Sequence, residues 1–297
     1  MRRWTTRTWG IVCAVGATAI GAAYLAAAGA PSHYVAIQLA ALGIGLAAIA
    51  VLARIPGSFS ERFSAPALVL LGTLLLATAL VGASVDGAAR WVKLGAVYVQ
   101  TSLVVLPAML LLFARSPGRL GVAAMALAAL ALALQPDRAM AGAFAVGLAV
   151  LALLRAERLT IAAALCGLGA FVGALAQPDA LPAFPFVDRI LFTSFDVHPL
   201  VGAAVVAGAL ALLLPALAGG ERDRRWVFGA TWLAIVSAAA LGNYPTPLVG
   251  YGGSAVLGYL LSVALLPGAA RVAREAVACE TTSEGLAHDQ SLRAATV

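Results

Sequence analysis

The 297-residue sequence predicts an all-α polytopic membrane protein with about ten transmembrane helices and both termini in the cytoplasm. Three observations predict it. Hydrophobic residues make up 62% of the chain and charged residues only 11%, where a soluble globular protein carries roughly 25% charged residues. The mean hydropathy is +0.98, and the apolar residues are gathered in long runs that are apolar on every face, whereas barrel strands alternate polar and apolar residues over about ten positions. The basic residues lie between these runs with a strong bias to alternate loops. A disordered chain, a disulfide scaffold and a soluble nucleic-acid binder each need a polar surface or a cysteine framework that this composition lacks.

A helix needs about 20 apolar residues to cross a bilayer core. By that measure the candidate spans are 9–29, 35–53, 66–83, 99–114, 119–135, 139–154, 158–176, 199–218, 226–242 and 250–267. The first also has the outline of a cleaved signal peptide, with Arg2 and Arg3 ahead of it and Ala-Gly-Ala before Pro31. Its apolar stretch is as long as the later ones, so it reads as an uncleaved first helix. Ala and Gly are abundant in all the runs and permit close helix approach in lipid.

Cytoplasmic loops hold the excess of Lys and Arg. Arg2, Arg3, Arg7, Arg54, Arg62, Arg115, Arg119, Arg155, Arg158, Arg222, Arg224, Arg225, Arg271, Arg274 and Arg293 fall on one side of the ten-span layout, fifteen of the 19 basic residues. Arg90, Lys93, Arg138 and Arg189 fall on the other. The split supports the span count and the orientation together, since one missed helix would scramble it. Residues 1–267 therefore read as a single multi-pass domain and 268–297 as a polar cytoplasmic tail carrying Glu275, Glu280, Glu284 and Asp289. The cysteines (Cys13, Cys166, Cys279) and histidines (His33, His198, His288) are scattered, so no disulfide framework or transition-metal site is expected.

The outward loops carry the unusual chemistry. Residues 84–100 mix Asp86, Arg90 and Lys93 with Trp91 and Tyr98. They read either as an interfacial segment whose aromatics sit at headgroup level or as a cationic lip for a phosphorylated lipid. Residues 177–198 hold Asp179, Asp188, Arg189, Asp196 and His198, and at this length a loop is functional more often than a plain connector. A carboxylate held there near cations suits general-base chemistry, and ordinary solvated loop aspartates are the alternative. Gln135-Pro136-Asp137-Arg138 is a tight turn. The stretch 243–254, Asn-Tyr-Pro-Thr-Pro-Leu-Val-Gly-Tyr-Gly-Gly-Ser, leaves irregular backbone that is tolerated only against protein or a wet cavity.

In order along the chain, these pieces resemble the SEDS family of bacteria (shape, elongation, division and sporulation), of which this would be a divergent, shortened member. Gly87-Ala88-Ala89-Arg90-Trp91-Val92-Lys93-Leu94-Gly95 resembles the family's Gly-Ala-Arg-Arg-Trp-Ile-x-Leu-Gly segment. Leu134-Gln135-Pro136-Asp137 matches its Leu-Gln-Pro-Asp turn, and Pro247-Leu248-Val249-Gly250-Tyr251-Gly252-Gly253-Ser254 is similar to its Pro-Phe-Ile-Ser-Tyr-Gly-Gly-Ser segment before the last helix. The resemblance covers roughly residues 66–267. It departs at Gln100-Thr101-Ser102-Leu103, where the family has Gln-Pro-Ser-Glu, and around the expected base, where the family's Pro-Glu-x-His-Thr lead and following pair of glutamates are missing.

The resemblance implies a glycosyltransferase that polymerises lipid II at the outer face of the bacterial cytoplasmic membrane, in division or cell-shape maintenance. By analogy the base is Asp196, in Thr193-Ser194-Phe195-Asp196, with Asp188 second. Arg90, Trp91, Lys93, Gln135, Asp137, Arg138, Tyr251 and Ser254 are the implied substrate-binding residues. A divalent cation is a possible aid to the departing pyrophosphate, and a class B penicillin-binding protein a possible partner. Two alternatives stand beside it: an inactive membrane partner of such a transpeptidase, and a flippase for a polyprenyl-linked substrate. The flippase ranks last because such pathways are marked by charges inside spans, and these runs hold almost none.

Overall fold

A computed structural model describes residues 4–55, 63–85, 88–95, 97–135, 137–178 and 182–268. Each apolar run folds as helix: α1 (Thr6–Ala27), α2 (Ser32–Arg54), α3 (Ser64–Val81), α4 (Thr101–Arg115), α5 (Arg119–Leu134), α6 (Arg138–Arg155) and α7 (Arg158–Leu175). The second half adds α8 (Ile190–Val197), α9 (Pro199–Ala211), α10 (Leu214–Leu217), α11 (Arg222–Leu241) and α12 (Gly253–Ala264). Between α3 and α4 lies an antiparallel meander, β1 (Ala83–Val85), β2 (Ala88–Leu94) and β3 (Val97–Gln100), with Trp91 opposite Gln100 and Lys93 opposite Tyr98.

The protein is a multi-pass helical membrane protein. Among the described residues, α1, α2, α3, α6 and α7 are long and apolar enough to cross a bilayer by length and composition. The helices α4, α5, α9 and α12 are apolar but only 12–16 residues long. The 20-residue α11 opens on Arg222, Asp223, Arg224 and Arg225. Each of the ten expected runs contains helix, and among the described residues five of them meet the criterion for a full crossing. Residues 269–297 of the expected tail, and Asp86, Pro136 and Asp179, lie outside the described residues.

The core is built around α12, which packs on α1, α2 and α4, while α6 packs on α4, α7 and α11. Gly258 makes the α4–α12 approach possible, because a Cβ there would stand 2.0 Å from the Leu103 carbonyl oxygen. Trp232, Tyr259 and Phe228 meet at tilted to edge-on angles in the centre. Their polar atoms are satisfied as burial demands: Trp232 Nε1 donates to Ser262 Oγ at 3.1 Å, and the Tyr259 hydroxyl donates to the Leu212 carbonyl at 2.9 Å, where the chain breaks between α9 and α10.

The two ends of the bundle differ. At one, Arg7 donates to the Ala264 (2.7 Å) and Leu266 (3.1 Å) carbonyls, Arg224 donates to Leu265 O (2.7 Å), and Arg155 pairs with Asp223 at 2.6 Å. Cations here sit on the negative, carbonyl-rich end of α12. The meander, the α5–α6 turn and the opening of α12 lie at the opposite end, so Arg90, Lys93 and Arg138 are segregated from the arginines of the other face.

Candidate active site

That opposite end contains a cavity of about 450 Å³, within the usual range for small-molecule sites. Its lining comes from the meander (Arg90, Trp91, Tyr98, Gln100), α4 (Leu103), the α6 start (Asp137, Met140), the loop before α8 (Phe184, Val187, Asp188), α11 (Ile235) and the segment that leads into and opens α12 (Asn243 to Thr246, Tyr251, Ser254).

Asp137 is fully buried and caps α6, accepting from Met140 N at 3.1 Å with Oδ1. Its Oδ2 accepts from Gln100 Nε2 at 2.9 Å and Ser102 Oγ at 3.4 Å. The Gln100 backbone N–H in turn donates to Ser254 Oγ at 3.0 Å. One carboxylate thereby ties the meander and α4 to α6, and the same glutamine carries the link on to α12. Arg90, 4% exposed, is held beside this clasp, its guanidinium carbon 6.0 Å from the Trp91 ring centroid.

Asp188 also lines the cavity and is 7% exposed. Its Oδ2 accepts from Phe184 N at 2.8 Å, and its backbone bridges Pro245. Burial pushes the carboxyl pKa up, against the lowering effect of the Phe184 N–H. Two further bonds close the loops on each other, Thr246 N to Val187 O (3.0 Å) and Tyr251 N to Phe186 O (2.6 Å). Phe186 (φ 65°) and Arg189 (φ 59°) straddle Asp188 in the left-handed region, and Leu248 (φ 63°) bends the other loop. Each costs about 1–2 kcal/mol for a side chain with a Cβ, strain that the loop-to-loop bonds and the buried Gln38, whose amide donates to Leu248 O, hold in place. Tyr34 stacks on Tyr251 at 3.8 Å between centroids and supports the same loop. Burial raises the Tyr251 phenol pKa, and Tyr34 adds to the rise.

The cavity does not gather every residue expected from the sequence. Arg90, Trp91, Asp137, Asp188, Tyr251 and Ser254 line it. Asp196 does not: α8 turns Ile190 and Ser194 inward, one helical turn apart, and leaves Asp196 exposed on the other side. Lys93 is exposed at the rim, its ammonium 5.6 Å from the Tyr98 ring centroid. Arg138 donates to Gln177 O at 2.6 Å and braces the α5–α6 turn against the end of α7. Gln135 is fully buried behind the wall. Gln100, Thr246, Tyr34 and Gln38 were not singled out by the sequence. Of these, Gln38 carried a signal, a polar side chain inside an otherwise apolar run.

Among the described residues no three His, Cys, Asp or Glu side chains form a metal-holding group. Asp137, one of the two cavity carboxylates, already accepts from three donors. Asp188, the other described carboxylate of the cavity, accepts from Phe184 N.

A helical membrane bundle with a largely apolar cavity, bearing a few buried polar groups, at the N-terminal end of α12 is the class of protein defined by this fold and site. The chain belongs to the FtsW, RodA and SpoVE family of cell cycle proteins, whose pattern it matches over residues 4–177. A probable peptidoglycan glycosyltransferase FtsW of Coxiella burnetii is 32% identical over 114 residues, 34% of this chain and 30% of that protein. Another, from Shewanella sediminis, is 41% identical over 75 residues, 25% of this chain and 18% of that protein. The matched stretches thus span less than a third of either relative. The crystal structure of the Thermus thermophilus rod shape determining protein RodA superposes with a TM-score of 0.62 at 23% identity, covering 86% of this chain and 94% of that one. A chain from a study of polymerization and crosslinking by a peptidoglycan synthase complex superposes at 0.58 and 22% identity, covering 86% and 95%. Both likenesses are of fold.

Proposed function

We propose that the protein is a SEDS-type glycosyltransferase of the bacterial cytoplasmic membrane that polymerises lipid II, or a similar polyprenyl-linked saccharide, at the outer face, with Asp188 as its base. The observation that carries this reading is a buried carboxyl with raised proton affinity on the wall of a cavity it shares with the buried Arg90. The cavity end has few cations and the opposite end many, which supports an outward-facing site and cytoplasmic termini. Residues 1–267 are the membrane domain in this reading and 268–297 a cytoplasmic tail.

In the reaction Asp188 accepts the proton of the acceptor sugar's hydroxyl as that oxygen bonds to the donor's anomeric carbon. The bond from that carbon to the pyrophosphate oxygen breaks, and its electron pair leaves with the polyprenyl pyrophosphate. Arg90 stabilises the charge that develops there. A base with raised affinity for protons suits this step better than an exposed carboxylate such as Asp196. Lys93 at the rim and Arg138 behind the turn act on approach and on support. The roles of Trp91, Tyr98 and Tyr251 are to flank the sugar rings.

One observation favours a second reading. Leu103, where the family motif has Glu, places an apolar side chain in the cavity wall. An inactive relative that binds a class B penicillin-binding protein would tolerate this. Fluorescent lipid II, offered to the purified protein in liposomes with and without divalent cation and a cognate transpeptidase, separates the two. Polymer supports the enzyme, and its absence under every condition from folded protein supports the partner.

A further inference from the structure

The polar groups of the cavity wall are mostly committed within the protein. Asp137 accepts three hydrogen bonds, Gln100 donates with both its amide side chain and its backbone, and Ser254 Oγ receives the latter. Thr246 differs. It is 2% exposed and lines the cavity, yet its hydroxyl has no hydrogen-bond partner among the described residues.

Its backbone, by contrast, is fixed. The N–H donates to Val187 O at 3.0 Å, and the carbonyl accepts from Gly250 N at 3.1 Å. Pro245 and Pro247 flank it, so its own conformation is restricted by the following proline. Gly250 permits this closure, since a Cβ there would meet both Thr246 O and Val187 O at 3.0 Å. Pro245, the neighbouring residue, is the bridge partner of Asp188. A buried hydroxyl is thus held at a set position next to the residue that pairs with the proposed base. Such a group is worth a hydrogen bond to whatever enters, and it discriminates against a ligand that cannot supply one, because buried polar groups left unpaired are costly.

We propose that Thr246 is a specificity-determining residue of the cavity, its hydroxyl hydrogen-bonding a hydroxyl or acetamido group on the sugar that stands against Asp188. This rests on the reading of the cavity as a site for a lipid-linked saccharide. Thr246 both donates and accepts, as those two groups require. It positions the acceptor sugar and takes no proton in the reaction.

The test compares Thr246→Val, which keeps the shape and removes the hydroxyl, with Thr246→Ser, which keeps the hydroxyl, in the full-length protein. Lipid II binding, kcat, KM and Tm are measured for each. Loss of one neutral hydrogen bond predicts a Kd and KM about three- to tenfold higher for the Val variant, with the Ser variant near wild type. Because the hydroxyl makes no bond within the described protein, the Val variant melts at or above the wild-type temperature. A merely structural threonine gives the opposite pattern, a lower Tm with unchanged affinity, and that result overturns the proposal. Unchanged Kd and KM for the Val variant of a polymerising protein overturns the role of Thr246 alone. If the wild type binds lipid II without polymerising it, catalysis by this site fails while the Kd ratio still decides Thr246. If folded wild type does not bind lipid II, both readings fall.

Discussion

Replacing Gly258 by Ala tests the packing that positions the cavity. The added Cβ would stand 2.0 Å from Leu103 O, 3.0 Å from Leu103 C and 3.2 Å from Val104 Cα. These are backbone atoms of α4, so no side chain can swing aside. Restoring ordinary contact at about 3.4 Å requires the two helices to part locally by about 1.4 Å. Overpacking of this kind costs about 1–3 kcal/mol, and a rigid carbonyl as the obstacle puts it at the upper end. Ala gains about 1 kcal/mol over Gly in a helix interior, which leaves a net loss of about 2 kcal/mol. In a chain of this size that lowers Tm by roughly 4–8 °C. The control is Gly43→Ala on α2, where a Cβ meets nothing within 4 Å and Tm should not fall. Leu103 lines the cavity, and Ser254, one turn before Gly258, holds Gln100, so the Gly258 variant should also weaken substrate binding. Thermal unfolding of the detergent-purified proteins reads the first effect. Equal melting temperatures for wild type and Gly258→Ala would refute the close α4–α12 approach.

Three other expectations follow from the site. Asp137→Ala removes the acceptor for Met140 N, Gln100 Nε2 and Ser102 Oγ, and should cost about 2–4 kcal/mol in the same melting experiment; Asp137→Asn, which retains one acceptor oxygen, should cost less. Asp188 binds its proton more tightly folded than unfolded, so its contribution to stability is present at low pH and is lost as pH rises through the raised pKa. Asp188→Asn should therefore raise Tm at neutral pH and leave it unchanged below the ordinary carboxylate pKa, and wild-type polymerisation should fall on acidification at a higher pH than an exposed aspartate would dictate. In a cysteine-free background, an impermeant maleimide applied to intact spheroplasts should label Lys93→Cys and leave Arg158→Cys unlabelled until the membrane is opened.

Much of the helical layout was legible because apolar runs record burial in lipid directly: α1 to α7 begin and end within a few residues of the runs that announce them. The meander was not, since Arg90-Trp91-Val92-Lys93 is equally a membrane-interface composition, and its pairing with Val97–Gln100 is a tertiary fact. The single run 199–218 breaks after Ala211, for which Pro215 was the available signal. Of the site, the motif residues Arg90, Asp137, Tyr251 and Ser254 could be read from their resemblance in order. The placement of Asp188 on the cavity and of Asp196 outside it could not, because both precede or lie within one short apolar stretch. What separates them is the backbone bridge from Asp188 to Pro245, more than fifty positions along the chain, and the helical register that leaves Asp196 outside. Gln100 and Thr246 belong to the same kind of information, polar side chains whose partners are set only when distant loops meet.

The central claim, that Asp188 in the cavity takes the acceptor proton, is tested most directly by lipid II polymerisation with Asp188→Asn and Asp196→Asn, each shown to be folded and to bind substrate. A general base contributes about 10²–10⁴ in rate, so the account predicts a loss of that size for Asp188→Asn and near wild-type turnover for Asp196→Asn. Wild-type turnover by Asp188→Asn, with the loss falling on Asp196→Asn, would contradict it.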